Sequence, residues 1–200
     1  MGILLELSAK SIKMRPYFSA ILDEEGTFNM IQGFFDGRSI ELDLIMRGSE
    51  HGFTKEAFNA RVVGSSPTLI LIKSALNKVF GGFTSVPWST PKATTQYPDK
   101  TAFLFSMSHG TKHIISQGCN AAVEHSASND NSIFSFGLVD LVIKNNCNLK
   151  KIDSLGNFAF LGDSYSSPDG IEEEKLPKYL AGSAYFTVSE IEVFKVKFLN

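Results

Sequence analysis

Residues 68–84 read TLILIKSALNKVFGGFT and contain two apolar runs separated by a short polar stretch. The first run, 68–72, is apolar at both alternating positions, which is typical of a central strand covered on both faces. Asn77 lies in the polar stretch, where a turn brings 79–84 back as the antiparallel partner. The pair Gly81-Gly82 inside this second strand predicts a bulge or a close approach by other backbone.

Outside this hairpin, short apolar segments alternate with turns rich in Gly and Pro. Residues 40–46 predict a half-buried strand, and further strands are predicted at 101–107, 112–116, 121–125 and 138–143. About eight to ten short strands with little helix and no βαβ rhythm are typical of an antiparallel sandwich. The predicted fold class is therefore mainly β (α+β), a two-sheet antiparallel β-sandwich with a few short helices.

The last predicted strand, 191–198, changes phase along its length. Ile191 and Val193 share one parity, whereas Phe194 and Val196 share the other. A bulge near Val193 or burial on both faces would explain this change.

One helix and the N-terminal segment complete the predicted organisation. Thr54 is a good N-cap for a short helix that ends near Arg61. Residues 1–39 carry apolar runs and a small basic cluster, and we interpret them as an N-terminal arm or docking segment, or as an extra edge of the main domain. The domain itself is predicted to span residues 40–200.

Composition excludes several classes of function. The chain has 200 residues, enough for one domain, and its formal charge of −2 argues against nucleic acid as the main partner. The 17 Phe residues suit the space between two sheets.

No signal peptide and no membrane-spanning run are apparent, and two cysteines make no disulfide scaffold. We therefore expect a cytoplasmic protein without membrane insertion.

Several motifs occur in the order that one known family shows. Residues 47–58 (RGSEHGFTKEAF) are similar to "SS-RDGF-(x)-xxF", 64–73 (GSSPTLILIK) to "GPTLxLIK", 79–89 (VFGGFTSVPWS) to "VFGGYTSxxW", and 102–106 (AFLFS) to "AFLFSL". Residues 145–194 are similar to the ending "DNCN…SNLG…LAGS…FTVxEIEVF". From about residue 40 to 196 the chain thus resembles the TLDc domain family, in particular its protist members.

This resemblance implies a two-sheet sandwich without an established catalytic site. TLDc proteins are linked to protection against oxidative stress, and they bind and regulate the vacuolar proton-pumping ATPase through protein–protein contact. Two departures limit the transfer of surface features. His51 replaces the family's usual acidic residue before Gly-Phe, and residues 131–137 form a bulkier loop than the Gly-rich stretch of many animal members.

The His and Cys residues between 109 and 125 are the metal-like cluster of the sequence. His109, His113, Cys119 and His125 are spaced H-x3-H-x5-C-x5-H, and strand alternation would divide them between two faces. No metal site and no cofactor are therefore predicted. Cys119 follows Gly118 in a loop and is a candidate redox thiol, although exposure alone does not create a thiolate.

No catalytic motif is apparent, and the candidate site residues are partner contacts. Ser49, Glu50 and His51 are consecutive, which gives no support to a triad because a triad is assembled by the fold. Trp88, Arg47 and Glu50 are the candidate partner contacts. Trp is enriched at interface hot spots, but Trp88 capping one end of the sandwich is the alternative.

The sequence therefore predicts a non-enzymatic TLDc module that binds a protein partner, in the first place vacuolar ATPase subunits. Its expected role is regulation of the pump, protection against oxidative stress, or both. The alternative is a structural or interaction component of a large cytoskeletal or ciliary assembly. A redox or metal-dependent enzyme that uses Cys119 or the histidines is a third hypothesis.

Overall fold

The computed structural model describes residues 19–22, 25–151 and 156–199. Within these ranges, two antiparallel six-stranded sheets form the predicted sandwich. In spatial order, sheet A contains β1 (Ile40–Arg47), β12 (Val188–Phe198), β2 (Thr68–Ser74), β3 (Val79–Thr84), β5 (Phe103–Ser106) and β6 (Thr111–Ile114). Sheet B contains β11 (Tyr185–Phe186), β10 (Asn157–Phe158), β9 (Leu141–Lys144), β8 (Ser132–Phe136), β7 (Val123–His125) and β4 (Thr95–Tyr97).

The helices are short, as expected. They are α1 (Glu25–Gly33), α2 (Gly48–His51), α3 (Lys55–Val62) and α4 (Leu176–Tyr179), with a 3₁₀ turn at Glu173–Lys175 before α4. The prediction of α3 is confirmed, since Thr54 accepts a hydrogen bond from the Ala57 N–H at 3.2 Å. None of the helices in the described ranges has the length and apolarity that crossing a membrane requires.

The central hairpin has the predicted form. β2 and β3 pair in continuous register from Thr68 opposite Thr84 to Lys73 opposite Val79, without a bulge. A Cβ atom on Gly81 would lie 1.9 Å from the Ile70 carbonyl oxygen. The predicted close approach is therefore real, because neighbouring strands leave no space for a side chain at Gly81.

Two separate apolar cores hold the domain together. The first lies between the sheets and includes Ile70, Ile72, Phe80, Phe134 and Phe136. The second covers the other face of sheet A, where the aromatic and aliphatic side chains of α1 and its flanks pack on the strands; these are Ile21, Leu22, Phe28, Ile31, Phe34 and Phe35. Burial on both faces explains why the central strands are apolar at every position.

The same double burial accounts for the phase change in β12. Ile191 and Val193 belong to the core between the sheets, whereas Phe194 and Val196 belong to the core beneath α1. The ladders of β12 also contain two register irregularities, one between Leu44 and Met46 of β1, opposite Phe194 and Val193, and one between Val188 and Glu190 of β12 itself. Of the two explanations for the phase change, burial on both faces is confirmed.

Part of the N-terminal segment packs into the domain. Residues 19–22 and α1 bury their apolar side chains on sheet A, with Ile31 fully buried and Phe35 almost so. The described part of the segment therefore covers a face of sheet A, where one of the two interpretations of residues 1–39 expected an extra edge of the domain. The basic cluster at Lys10, Lys13 and Arg15 lies outside the described residues.

The segment from 131 to 143 differs from the prediction. Residues 131–137 were expected to form a loop and 138–143 a strand, but β8 occupies most of the first range and β9 begins at Leu141. A turn joins the two strands, with Gly137 at a φ of 66° and Leu138 47% exposed. The prediction was wrong because Leu138 and Val139 are apolar but lie in this turn.

Candidate functional site

A cleft runs along the edge of sheet A, between β6 and the segment that leads to α4. Its volume is about 760 Å³, and it is open to solvent on one side. The lining side chains combine charged, hydroxyl, aromatic and aliphatic groups; they are Asp36, Thr111, Lys112, His113, Ile114, Ser166, Ser167, Pro168, Asp169, Ile171 and Tyr179. Because these residues come from three distant parts of the chain, the cleft is a product of the tertiary structure.

A hydrogen-bond chain fixes one wall of the cleft. His113 Nδ1 lies 3.0 Å from the Ser166 carbonyl oxygen, which can only accept, so Nδ1 carries the proton. In neutral His113, Nε2 then accepts from Thr111 Oγ1 at 2.9 Å, and Thr111 accepts from Tyr179 Oη at 3.2 Å. Burial lowers the pKa of His113, and nearby His109 contributes in the same direction. This chain of hydrogen bonds therefore holds α4 and residue 166 against β6.

The opposite wall of the cleft carries an ion pair. Lys112 Nζ lies 2.9 Å from the Asp36 carboxylate, which is 78% exposed, and 4.9 Å from the centroid of the Phe103 ring. An ion pair with one exposed partner contributes at most about 1 kcal/mol to stability. Asp36 is thus available to further cations that enter the cleft.

Arg47 and Glu50, two of the predicted contacts, lie at a different corner. Arg47 Nε donates to Glu192 Oε1 at 2.8 Å, and its guanidinium also pairs with Glu50. Burial opposes the charge of Arg47, but the hydrogen bonds to Glu192 and Glu50 outweigh it and raise the pKa of Arg47. Glu50 has a side chain that is 53% exposed, so Glu50 is the accessible member of this corner.

Trp88, the third predicted contact, is 2% exposed and lies in the core between the sheets. Its indole N–H donates to Thr68 Oγ1 at 2.8 Å, and its ring packs edge-on against Phe58 at a centroid distance of 5.4 Å. A partner that docks on the folded domain cannot reach this side chain. This burial favours the structural alternative stated above over a partner contact.

The structure brings His109 and His113 to the same tyrosine, Tyr179, but it does not gather the histidines and cysteines at one site. His113 lies on sheet A and His125 on sheet B, and in the described part of the chain no group of three metal-ligating side chains comes together. Cys119 is half-buried in the turn after Ser116. Cys147 is buried, and burial raises the pKa of its thiol to about 12, so this thiol stays protonated.

His125 lies between two aromatic rings. The ring centroids of Trp88 and Tyr97 are 4.9 Å and 4.3 Å from that of His125, and Ser89 Oγ is 2.9 Å from Nδ1. Nε2 is buried and has no hydrogen-bond partner among the described residues. Burial lowers the pKa of His125 to about 4, so the ring is neutral at pH 7.

We expect the domain to lose stability as the pH falls from 7 to 5. In the unfolded chain a histidine takes up its proton near pH 6.5, but folded His125 does so only near pH 4. Below pH 6.5 the unfolded state therefore binds more protons and gains population. His125 accounts for a loss of about 2 kcal/mol in the free energy of unfolding at pH 5. Urea unfolding at pH 7 and pH 5 measures this loss.

The matched control is His125→Phe, which keeps an aromatic ring between Trp88 and Tyr97 but does not titrate. This variant should lose less stability than the wild type between pH 7 and pH 5. His113, whose pKa is also lowered by burial, leaves some pH dependence in the variant. If the variant and the wild type lose equal stability, His125 does not titrate as described.

Sequence reasoning missed most of the cleft. Asp36, Lys112, Asp169 and Tyr179 lie in separate segments and carry no motif that connects them. The one available signal was the polar, Pro-containing loop at 162–178, because long loops beside a sheet edge often carry function.

Two comparisons with known proteins complete this description. The family model described as the TLDc domain matches residues 16–197, which is nearly the whole chain. No curated protein matches the chain.

Proposed function

Because the chain belongs to the TLDc domain family, we propose that it is a non-enzymatic protein-binding module that acts on the vacuolar proton-pumping ATPase. The match over residues 16–197 is the observation that carries this proposal. The module regulates the pump, or protects the cell against oxidative stress, by occupying a surface of its protein partner. The module works in the cytoplasm, on the cytosolic face of the membrane that holds the pump.

The chemistry of the buried polar groups supports a binding module. Lys55 is 4% exposed, and its ammonium donates to the carbonyl oxygens of Ala127 and Asp130. Asp140 is fully buried and accepts four backbone N–H groups from residues 162–165. Burial raises the pKa of Asp140, and the four N–H groups act in the opposite direction. Lys55 and Asp140 therefore bind backbone groups of loops and position the outer surface.

The test is chemical crosslinking with mass spectrometry on the chain bound to purified vacuolar ATPase. We expect crosslinks between the lysines of this domain and pump subunits, together with a change in ATP-driven proton uptake by vesicles. Crosslinks to cytoskeletal or ciliary proteins in whole-cell samples, with none to the purified pump, would instead support the structural-component hypothesis.

Cys119→Ser tests whether the module works through a redox thiol. Cys119 is half-buried in a turn, so serine fits there with little structural cost. We expect binding of the purified pump and survival of peroxide-treated cells to be unchanged. Loss of protection with binding intact would favour the redox hypothesis over occupancy.

Glu50→Arg tests the exposed corner beside Arg47. The substitution removes the Arg47–Glu50 pair but leaves the bond between Arg47 and Glu192, so stability should change by less than about 1 kcal/mol. If this corner contacts the pump, the variant binds more weakly in the same crosslinking assay. Unchanged binding would remove Glu50 from the contact surface.

A further inference from the structure

We propose that the cleft beside β6 binds an extended, basic segment of the protein partner, which adds as a strand at Lys112. The proposal rests on the protein-binding function stated above and names the surface and the chemistry of the contact. It commits to a peptide that carries Lys or Arg, held by backbone hydrogen bonds and by carboxylates.

The first observation is the direction in which the backbone N–H and C=O groups of β6 point. Ser166 N–H donates to the Ile114 carbonyl at 2.9 Å, and Ile114 N–H donates to Ser166 Oγ at 3.1 Å, so both polar groups of Ile114 point away from β5. Successive residues of a strand alternate in this direction, so the N–H and C=O of Lys112 also point away from β5. The described residues supply no partner for these two groups.

The chain itself pairs along only half of this edge. Residues 164–166 run antiparallel to 114–116, with Ser116 N–H bonded to the Ser164 carbonyl and Ile115 bridged to Tyr165. Continuing this register would bring Pro168 opposite Lys112. Because proline has no N–H, it cannot continue the ladder. The pairing stops there, and the cleft lies beside Lys112.

The charges around the cleft determine which peptide fits. Residues 166–179 contain four carboxylates, Asp169 and Glu172–Glu174, against two lysines. Lys175 pairs with Glu172 at 2.5 Å. Lys112 is neutralised by Asp36, which itself stays exposed. An approaching segment therefore meets a negative rim, which attracts basic residues and repels acidic ones.

Apolar side chains in the same cleft favour a peptide that also carries apolar residues. Ile114 is 58% exposed and Ile171 is 37% exposed, and both line the cleft. Residues of an added strand point alternately to its two sides. A segment that carries both basic and apolar residues can contact the carboxylates and the isoleucines of the cleft.

The test uses two synthetic hexapeptides, one alternating Lys with Val and the other alternating Glu with Val. Titration of the isotope-labelled full chain, followed by amide NMR shifts, reports both affinity and position. We expect the basic peptide to bind at least about tenfold more tightly, with shifts concentrated at residues 111–114 and 166–171. Equal affinities, or shifts that lie elsewhere, would overturn the proposal.

Two substitutions at one position isolate the backbone contact. Lys112→Ala keeps the N–H, removes the competing ammonium, and should bind the basic peptide at least as tightly as the wild type. Lys112→Pro also frees Asp36 but removes the N–H, and should bind at least about tenfold more weakly than Lys112→Ala. Equal binding by the two variants would contradict strand addition.

Asp169→Lys provides the charge test on an exposed loop, and it applies even if Lys112→Pro does not fold. We expect it to weaken the basic peptide and strengthen the acidic one. If the pump binds wild type and Asp169→Lys equally and neither peptide binds, the cleft is not the contact surface, but the proposed function remains. If the peptide binds and the pump does not, the proposed partner is wrong, but the cleft assignment remains.

Discussion

Gly81→Ala is expected to lower the free energy of unfolding by about 4 kcal/mol or more, among the largest effects of a single substitution. β3 lies between β2 and β5 in the middle of sheet A, and the added Cβ would lie 1.9 Å from the Ile70 carbonyl oxygen. That oxygen belongs to backbone in a paired strand, so it cannot move without breaking the ladder. Urea unfolding followed by circular dichroism measures the change.

The matched control is Gly33→Ala, at the end of α1. A Cβ on Gly33 meets no atom within 4 Å, and Ala favours helix over Gly by about 1 kcal/mol. This variant should be as stable as the wild type or slightly more stable. If both alanine variants lose similar stability, the close approach at Gly81 is not the cause.

Glu192→Ala is expected to lower the free energy of unfolding by about 4 kcal/mol. Glu192 is fully buried, and its carboxylate accepts hydrogen bonds from Arg47 Nε at 2.8 Å, from the Ala20 N–H at 2.7 Å and from Ser19 Oγ. Removing it takes away the buried carboxylate to which the guanidinium of Arg47 donates and releases residues 19–22 from the sheet. The measurement is again urea unfolding at pH 7.

Glu41→Ala is the control for an exposed carboxylate on the same sheet. Glu41 lies 3.8 Å from Lys197, its side chain is 38% exposed, and the loss should stay below about 1 kcal/mol. A second comparison is the double variant Arg47→Met/Glu192→Leu. It should recover much of the lost stability, because it leaves no unpaired buried charge. Equal effects of Glu192→Ala and Glu41→Ala would contradict the proposed role of buried Glu192 in holding Arg47 and residues 19–22.

The two predictions concern different properties of the fold. Gly81 sets how closely the strands of sheet A approach each other, whereas Glu192 binds a segment that lies 172 residues earlier in the chain. Neither Gly81 nor Glu192 lines the cleft beside β6, so variants at the two sites leave its lining residues unchanged. They therefore serve as folding controls when variants in that cleft are compared for binding.

Patterns along the chain predicted the fold class but only part of the candidate site. Alternation of apolar side chains located the central hairpin, because each strand must bury its faces. The motifs placed Arg47 and Glu50 in one segment, and the structure shows them paired. The sequence left Trp88 open between a partner contact and a structural residue, because a large aromatic in a Pro-flanked loop has the same local sequence whether it is buried or exposed.

The sequence by itself determined that the chain forms short, doubly covered strands and belongs among two-sheet sandwiches. It did so because strand periodicity and the glycines at close approaches are local properties. The tertiary structure alone decided that Asp36, Lys112, Asp169 and Tyr179 share one cleft and that Pro168 lies beside the open half of β6. These groups meet through sheet pairing between residues far apart in the chain. A local sequence pattern does not show which distant segment will pair with an edge strand.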